Sequence, residues 1–407
     1  MPLPWFDRVL LTALQRAIAP APVRLAIGKP DHSVTTLPST VPTVWIKDRA
    51  TLLALARNPQ INFGDLYSEG RIEVEGDLVD VVERLYEVPV SPSARIFSRC
   101  LGWIESNTPD GSRRNIHHHY DISNDFYQLW LDPQMVYTCA YFPEPAATLE
   151  EAQRAKMDLV CRKMWLRPGE TVVEAGCGWG ALALHMAQHF GVKVKAFNIS
   201  TEQIAYARER AQREGLASRV EFIQDDYRNI SIRADAFVSV GMLEHVGKSH
   251  HSEMVRTIWR TIGDSGRGLL HFIGRNRPRP MNAWIRRRIF PGAYPPALRE
   301  VMQFLEPHDF SVLDVENLRM HYARTCECWL KAFEHQFEAV KAQLGEQFAR
   351  MWRLYLAGSV AAFRFGSLQL FQVVFAGKQC SSQPLTRAHL YLPSIQEKEQ
   401  ECIRATS

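Results

Sequence analysis

From about residue 155 the chain alternates between short apolar runs and amphipathic stretches. TVVEAGCG (171–178), KVKAFNIS (193–200), VEFIQDD (220–226), ADAFVSVGM (234–242) and GRGLLHFIG (266–274) carry few polar interruptions and read as strands covered on both faces. Between the first of them, ALALHMAQHF (181–190) and TEQIAYARERAQREG (201–215) place apolar residues three and four apart, the spacing of helices, and Gly215 ends the second. SLQLFQVVFAGK (367–378) reads as a last strand. Strands alternating with helices predict an α/β fold, a doubly wound and mostly parallel sheet.

The N-terminal pattern is different. TVWIKD (43–48) is strand-like, DRATLLALARNP (48–59) helical, GDLYSEGRIEVEGD (64–77) polar, and LVDVVERLYE (78–87) helical again. This predicts a smaller α+β domain. The stretch around 89–115 is rich in proline and serine and holds SNTPDGSRRN, the composition of a linker or exposed loop. The predicted organisation is an N-terminal domain over 1–107 that binds lipid or membrane, a linker over 108–116, a catalytic domain over 117–378, and a polar, partly disordered tail over 379–407.

A chain of 407 residues is long for one domain, and two are the natural expectation. A net charge of +4 does not call for nucleic acid. Eight cysteines with no CxxC pair argue against a zinc framework and fit reduced thiols in the cytoplasm. No run approaches the roughly 20 apolar residues that span a bilayer. The first residues, MPLPWFDRVLLTALQRAIAPAP, do not form a signal peptide pattern; they predict an amphipathic helix with Trp5, Phe6, Val9, Leu10 and Leu14 on one broad face. Packing on the protein is the first reading of that face, and lying on a membrane surface is the second.

The candidate chemistry starts in the bend Gly-Cys-Gly-Trp-Gly (176–180), between the first strand and its helix. Ligands of open parallel sheets bind past the carboxyl ends of the strands, and glycines there admit a close approach. The bend alone is a weak signal, since a tight turn would also use glycines. Its spacing is not that of dinucleotide folds, and no Lys-Ser/Thr follows to cradle phosphates. The second strand ends in Asn198 and Ser200 rather than an acid, which disfavours NAD and ATP. S-adenosylmethionine fits better.

HYDISNDFYQLWLDPQMVYTCAYFP (119–143), EAGCGWG (174–180), SVGMLEHVG (239–247), LLHFIG (269–274) and AAFRFGSLQLFQVVF (361–375) occur in this order, and together the chain resembles the cyclopropane-fatty-acyl-phospholipid synthase family. The resemblance covers nearly all of 115–378 and is looser before it. It implies a Rossmann-like class I methyltransferase fold, S-adenosylmethionine as cofactor, and addition of its methyl carbon to a cis double bond of a phospholipid acyl chain. Attack by an unactivated alkene leaves a carbocation, and a base must remove a proton before a ring closes. The family is understood to use bicarbonate as that base. Carried over by position, its ligands are Cys139, Glu244, His271, Ile273 through the backbone, and Tyr322.

Taken singly, each has a plainer reading. Cys139 would be a small buried residue, Glu244 a helix-start carboxylate, and His271 a satisfied core histidine. Only the set is persuasive. For the cofactor, Tyr137 and Thr138 match the methionine end, Gly176 and Gly178 the glycine loop, Asn198, Ile199 and Gln203 the ribose contacts, and Asp226 with Tyr227 the adenine side. One departure is notable: where the family typically has a cysteine before AFR, LAGSVAAFR has Ser359. The bicarbonate mechanism needs no thiol there, so activity is expected to survive.

RNRPRPMNAWIRRRIFPGAYPP (275–296) interleaves six arginines with Trp284, Ile285, Ile289 and Phe290. It predicts a loop that docks on an anionic membrane, its apolar residues inserting; a solvated basic loop is the alternative. The expected location is the cytoplasm, at the inner membrane face, with unsaturated phospholipid as partner. His117, His118 and His119 invite a metal, but adjacent histidines cannot all face one ion. A methyl-branching fatty-acid methyltransferase, an N-methyltransferase of the same family and a lipid binder without catalysis remain alternatives. Monomer and homodimer both stay open.

Overall fold

The computed structural model describes residues 4–28, 41–88 and 123–391. The predicted linker, the three histidines and the HYD motif lie outside them.

The N-terminal unit is α+β. Strands β1 (Arg24–Ile27), β2 (Thr43–Ile46) and β3 (Ile72–Glu75) form a sheet in that order, β1 parallel and β3 antiparallel to β2. Helices Trp5–Ala17, Arg49–Arg57, Pro59–Ser68 and Leu78–Tyr86 surround it. Asp48 and Asp77 begin two of them by accepting the amides of Thr51 and Asp80, each satisfying a donor that a helix start leaves free. The stretch 64–77, polar to the eye, contributes the end of one helix and all of β3. Its buried residues, Leu66, Tyr67 and Ile72, are spaced too irregularly to announce either element.

The larger unit has seven strands in the order β6-β5-β4-β7-β8-β10-β9: β4 (Thr171–Ala175), β5 (Lys193–Asn198), β6 (Val220–Gln224), β7 (Ala236–Val240), β8 (Arg267–Gly274), β9 (Ser311–Asn317) and β10 (Gln369–Ala376). The first five in space are parallel; β10 runs antiparallel to both β8 and β9. This is the Rossmann-like class I methyltransferase fold predicted above. Every residue of β7 and β10 is buried, because helices cover both faces there. The sequence did not announce β9: it is an edge strand with mostly exposed or half-exposed side chains, so it lacks the apolar run that marked the others.

The two units share one core. Leu52, Tyr67 and Val81 of the first are continuous with Phe126, Trp130 and Trp352 of the second. The buried guanidinium of Arg350, on helix Glu346–Phe365, donates to the carbonyls of Tyr67 and Ile72 at 2.7 and 2.9 Å. Opposite it, Trp284 Nε1 donates to Asp65 Oδ1 at 3.1 Å, and Arg288 grips both oxygens of Asp65 at 2.9 and 2.8 Å.

One expectation changes as a result, and the described part of the tail can be placed. The apolar residues of loop 275–296 do not project outward: Trp284 is 5% exposed and Ile289 is buried, because they fill the seam between the units, and Arg288 belongs to its ion pair. The tail is docked as far as residue 391. Trp165 Nε1 donates to Ser382 Oγ, Arg387 pairs with Asp314, and Leu390 is buried.

Candidate active site

Gly176, Gly178, Asn198, Ile199, Glu244, His271 and Ile273 lie at the carboxyl ends of β4, β5, β7 and β8, Asp226 and Tyr227 follow β6, Tyr137, Thr138 and Cys139 precede β4, and Tyr322 and Ser359 come from helices Arg319–His335 and Glu346–Phe365. After β4, Gly176 and Gly178 have φ of +83° and +53°, a backbone that side chains resist. A Cβ on Gly176 would fall 2.9 Å from Met242, whereas one on Gly178 would meet nothing within 4 Å. The loop is packed on one side and open on the other. Asn198, ending β5, donates to Gln203 Oε1 at 2.7 Å and to the Gly178 carbonyl at 3.3 Å. It thereby ties the glycine loop to the next helix, with half-buried Ile199 between. Asp226 holds the Arg228 guanidinium at 2.8 Å, and that guanidinium lies 4.9 Å from the centroid of the buried Tyr227 ring. Tyr137 and Tyr355 share a hydrogen bond of 2.7 Å between hydroxyls.

The second cluster sits at the ends of β7 and β8. Glu244, in the turn after β7, is 4% exposed, and its Oε1 accepts the Ile273 amide at 2.5 Å. Ile273 thus enters through its backbone, as a clamp on the carboxyl. Glu244 Oε2 is buried without a partner, and burial pushes the carboxyl up to about 7. His271 is 1% exposed; its Nδ1 faces Gln372 Nε2 at 3.1 Å, and its Nε2 has no partner. With Gln372 donating to Nδ1, the proton sits on Nε2. Burial also holds the imidazole neutral, well below its ordinary range.

Close by, Cys139 donates from Sγ to the Ala140 carbonyl at 3.1 Å, and burial raises its thiol, so it stays protonated. The Tyr322 ring stacks on Phe363 at 4.5 Å and meets Trp329 edge-on at 5.9 Å. Buried polar atoms ordinarily have partners. Protonated Glu244 and neutral His271 each offer a hydrogen at an unpartnered atom, the donor chemistry that a small oxyanion takes. Bicarbonate has that chemistry.

Sequence reasoning missed three supports. Lys156, 2% exposed, donates to Thr138 Oγ1 at 2.9 Å, and burial pulls it down to about 8. Glu174 lies within its electrostatic reach and is pushed up to about 8 by burial. Gln372 sets the His271 tautomer. Glu174 was visible in EAGCGWG but sat in a run read only for its glycines. Lys156 carried no signal, because its helix Leu149–Lys163 looks surface-like in sequence.

A cavity of about 1750 Å³ opens beside this cluster. Glu244, Ile273, Tyr322 and Ser359 line it from the larger unit, and Leu14, Ile18, Val23, Leu25 and Leu55 from the smaller. Ser359 spends its hydroxyl on the Tyr355 carbonyl one turn back, at 2.9 Å. It therefore forms wall, not chemistry. Ser359→Ala is expected to keep activity within about twofold, since it removes one hydroxyl bonded within its own helix. A wild-type protein that binds cofactor yet works only as Ser359→Cys would overturn this.

Residues 107–373 match the family model described as mycolic acid cyclopropane synthetase. A probable fatty acid methyltransferase of Pseudomonas putida is 34% identical over 376 residues, covering 88% of this chain and 92% of that protein. The cyclopropane-fatty-acyl-phospholipid synthase of Escherichia coli strain K12 is 39% identical over 259 residues, 63% of this chain and 66% of that protein. The mycolic acid cyclopropane synthase CmaA1, solved as a complex with SAH and CTAB, matches at TM-score 0.62 and 30% identity, over 65% of this chain and 97% of that one.

Proposed function

The chain belongs to the mycolic acid cyclopropane synthetase family, and on that premise we propose that it transfers a methyl carbon to the cis double bond of a phospholipid acyl chain and closes a cyclopropane ring. The observation that carries this reading is the orphaned carboxyl oxygen Glu244 Oε2 on the wall of a large, mostly apolar cavity, with orphaned His271 Nε2 on the neighbouring strand β8. A methyltransferase acting on an amine would not need a buried oxyanion site, because a nitrogen lone pair generates no carbocation.

S-adenosylmethionine, when bound at the glycine loop, supplies the methyl carbon; the relative solved with SAH favours it. Gly176, Gly178, Asn198, Ile199 and Gln203 would hold it on one side, Tyr137 and Thr138 at another, and Asp226 with Tyr227 at the third. Bicarbonate, when bound by Glu244 and His271, supplies the base that takes the proton. Cys139 closes the site with an inert protonated thiol. Tyr322, its ring held by Phe363, turns an electron-rich aromatic group to the cavity where positive charge develops. The buried walls exclude water that would otherwise trap the cation.

The test is mass spectrometry of the fatty acids of a cyclopropane-free bacterium expressing the chain. A gain of one CH2 on monounsaturated chains, resistant to hydrogenation of alkenes, supports the ring. The same gain with a branched methyl would favour a second reading, for which the Pseudomonas putida relative speaks. No gain, with protein folded and S-adenosylmethionine bound, would overturn both.

The acyl chain comes from a membrane, and we assign that contact to the N-terminal helix. Leu10, Leu14 and Ile18 pack inward, whereas Trp5 is 72% exposed and Phe6 and Val9 are exposed beside it. Burying Trp5 and Phe6 in an interface is worth about 1.5–3 kcal/mol each. Replacing both with serine is therefore expected to weaken sedimentation with phosphatidylglycerol vesicles at least tenfold, without changing the melting temperature. Unchanged sedimentation would remove the helix from the contact.

A further inference from the structure

Arg275 is the first residue after β8, two beyond Ile273, and its amide donates to the Pro296 carbonyl at 3.0 Å. The side chain follows the wall of the cavity and is 7% exposed. Its Nε is buried without a hydrogen-bond partner. Among the described residues no carboxylate balances it: the charged or titratable groups that face it are Arg279, Tyr86 and Tyr294. Burial lowers its guanidinium to about 10, still cationic at neutral pH. Arg57, Arg277 and Arg279 also line the cavity, and among the described residues Arg279 alone of these is anchored, to the Ser367 carbonyl at 2.7 Å.

A buried guanidinium without a counter-ion is costly, and proteins keep such groups where something else supplies the charge. The contrast with Arg350 and Arg288 is informative. Those two are fully engaged by carbonyls and by Asp65, and they hold the units together. The Arg275 side chain has no such hydrogen bond among the described residues. Its fork of donors matches the two non-bridging oxygens of a phosphate diester.

Resting on the acyl-lipid reading above, we infer that Arg275 is the headgroup-recognising residue: it binds the phosphate of a phospholipid inside the cavity, with Arg277 and Arg279 completing a cationic end. The site would then select lipids that carry phosphate over free fatty acids.

The experiment measures binding without alkene chemistry. Dihexanoylphosphatidylglycerol, saturated and kept below its micelle concentration, is titrated against the full chain and followed by thermal shift. Sodium octanoate and octyl glucoside serve as carboxylate and neutral amphiphiles. Wild type should be stabilised by the phospholipid and much less by the other two. Arg275→Gln should bind the phospholipid at least roughly tenfold more weakly, the scale of losing a hydrogen bond to a charged group. Without ligand, this variant should melt at or above the wild-type temperature, since it removes an unbalanced buried charge. Arg275→Lys should recover part of the affinity.

An Arg275→Gln protein that melts well below wild type would mean the guanidinium is structural, and the inference fails. It fails also if the variant binds the phospholipid as well as wild type does, or if octanoate stabilises equally. Octyl glucoside matching the phospholipid would reduce the site to an apolar pocket. Phosphate-dependent binding by a protein that leaves unsaturated chains unmodified would keep this inference and overturn the acyl-lipid reading alone.

Discussion

Replacing Glu244 with alanine is expected to lower kcat by roughly 10²–10³-fold, the loss seen when one donor to a developing or bound oxyanion is removed, while binding of S-adenosylhomocysteine stays unchanged. The reason lies in the division of labour at the carboxyl group. One oxygen is fixed by the Ile273 amide, and the other faces the site alone. Because burial pushes this group up to about 7, it carries its proton through the lower part of the neutral range and donates to the anion. Rising pH ionises it, and two negative groups then oppose each other. Wild-type activity should therefore fall as pH passes about 7. Glu244→Gln keeps an acceptor for Ile273 and a donor for the anion, so its activity should lie between wild type and alanine and lose that pH limb.

Stability should fall over the same rise in pH. The folded protein holds the Glu244 proton more tightly than the unfolded chain does, where the ordinary value is 4.5. That contribution is complete below about 4.5 and is withdrawn as pH rises through about 7, at most roughly 3 kcal/mol. Melting of Glu244→Gln relative to wild type should thus improve between pH 5 and 8. A variant whose difference from wild type is flat across that window would show that Glu244 is already ionised in the folded state. Rate profiles with a constant limb above pH 7 would say the same.

The second large effect is expected at Gly64→Ala. Glycine inside a helix is ordinarily worse than alanine by ~1 kcal/mol, so the substitution should stabilise an exposed helix. Here the new methyl would stand 2.3 Å from Trp284 Cε2 and 2.4 Å from Nε1. The indole has to leave, and with it goes the hydrogen bond to Asp65. Overpacking typically costs about 1–3 kcal/mol, and loss of a buried tryptophan about 3–5 kcal/mol. We expect a clear fall in melting temperature and near-complete loss of activity on vesicles. S-adenosylhomocysteine binding should survive, because the glycine loop lies outside this seam. Once Trp284 is alanine, adding Gly64→Ala should cost little, and calorimetry of the double variant would reveal that coupling. A more stable Gly64→Ala would mean that the seam is not closed as described.

The centre of the parallel sheet was legible in the sequence because β4, β7 and β8 are covered on both faces and spell nearly unbroken apolar runs, while β5 and β6 still keep an apolar residue at every second or third position. β9 was not, since an edge strand has no such constraint. The chemistry was legible as motifs and not as geometry. Nothing in the residue order said that Gln372 would face His271 across the antiparallel pairing of β10 with β8. Nor could local pattern reveal that Lys156 is buried, because the groups around it come from before its helix, Thr138 and Cys139, and from well beyond it, Glu174 and His271. Loop 275–296 was misread for a related reason: an arginine-tryptophan mixture looks the same whether its partner is a bilayer or another part of the chain. Only the seam decides, and it decides for Asp65 and Gly64.

The cavity takes its walls from both units, so it exists only while they are docked. Lipid occupancy and docking are therefore two readings of one equilibrium, linked by mass action. A lipid at a hundred times its Kd would add ~2.7 kcal/mol to the docked state. Conversely, any change that undocks the units weakens lipid binding in proportion to the docked fraction it removes, without touching a residue that contacts lipid.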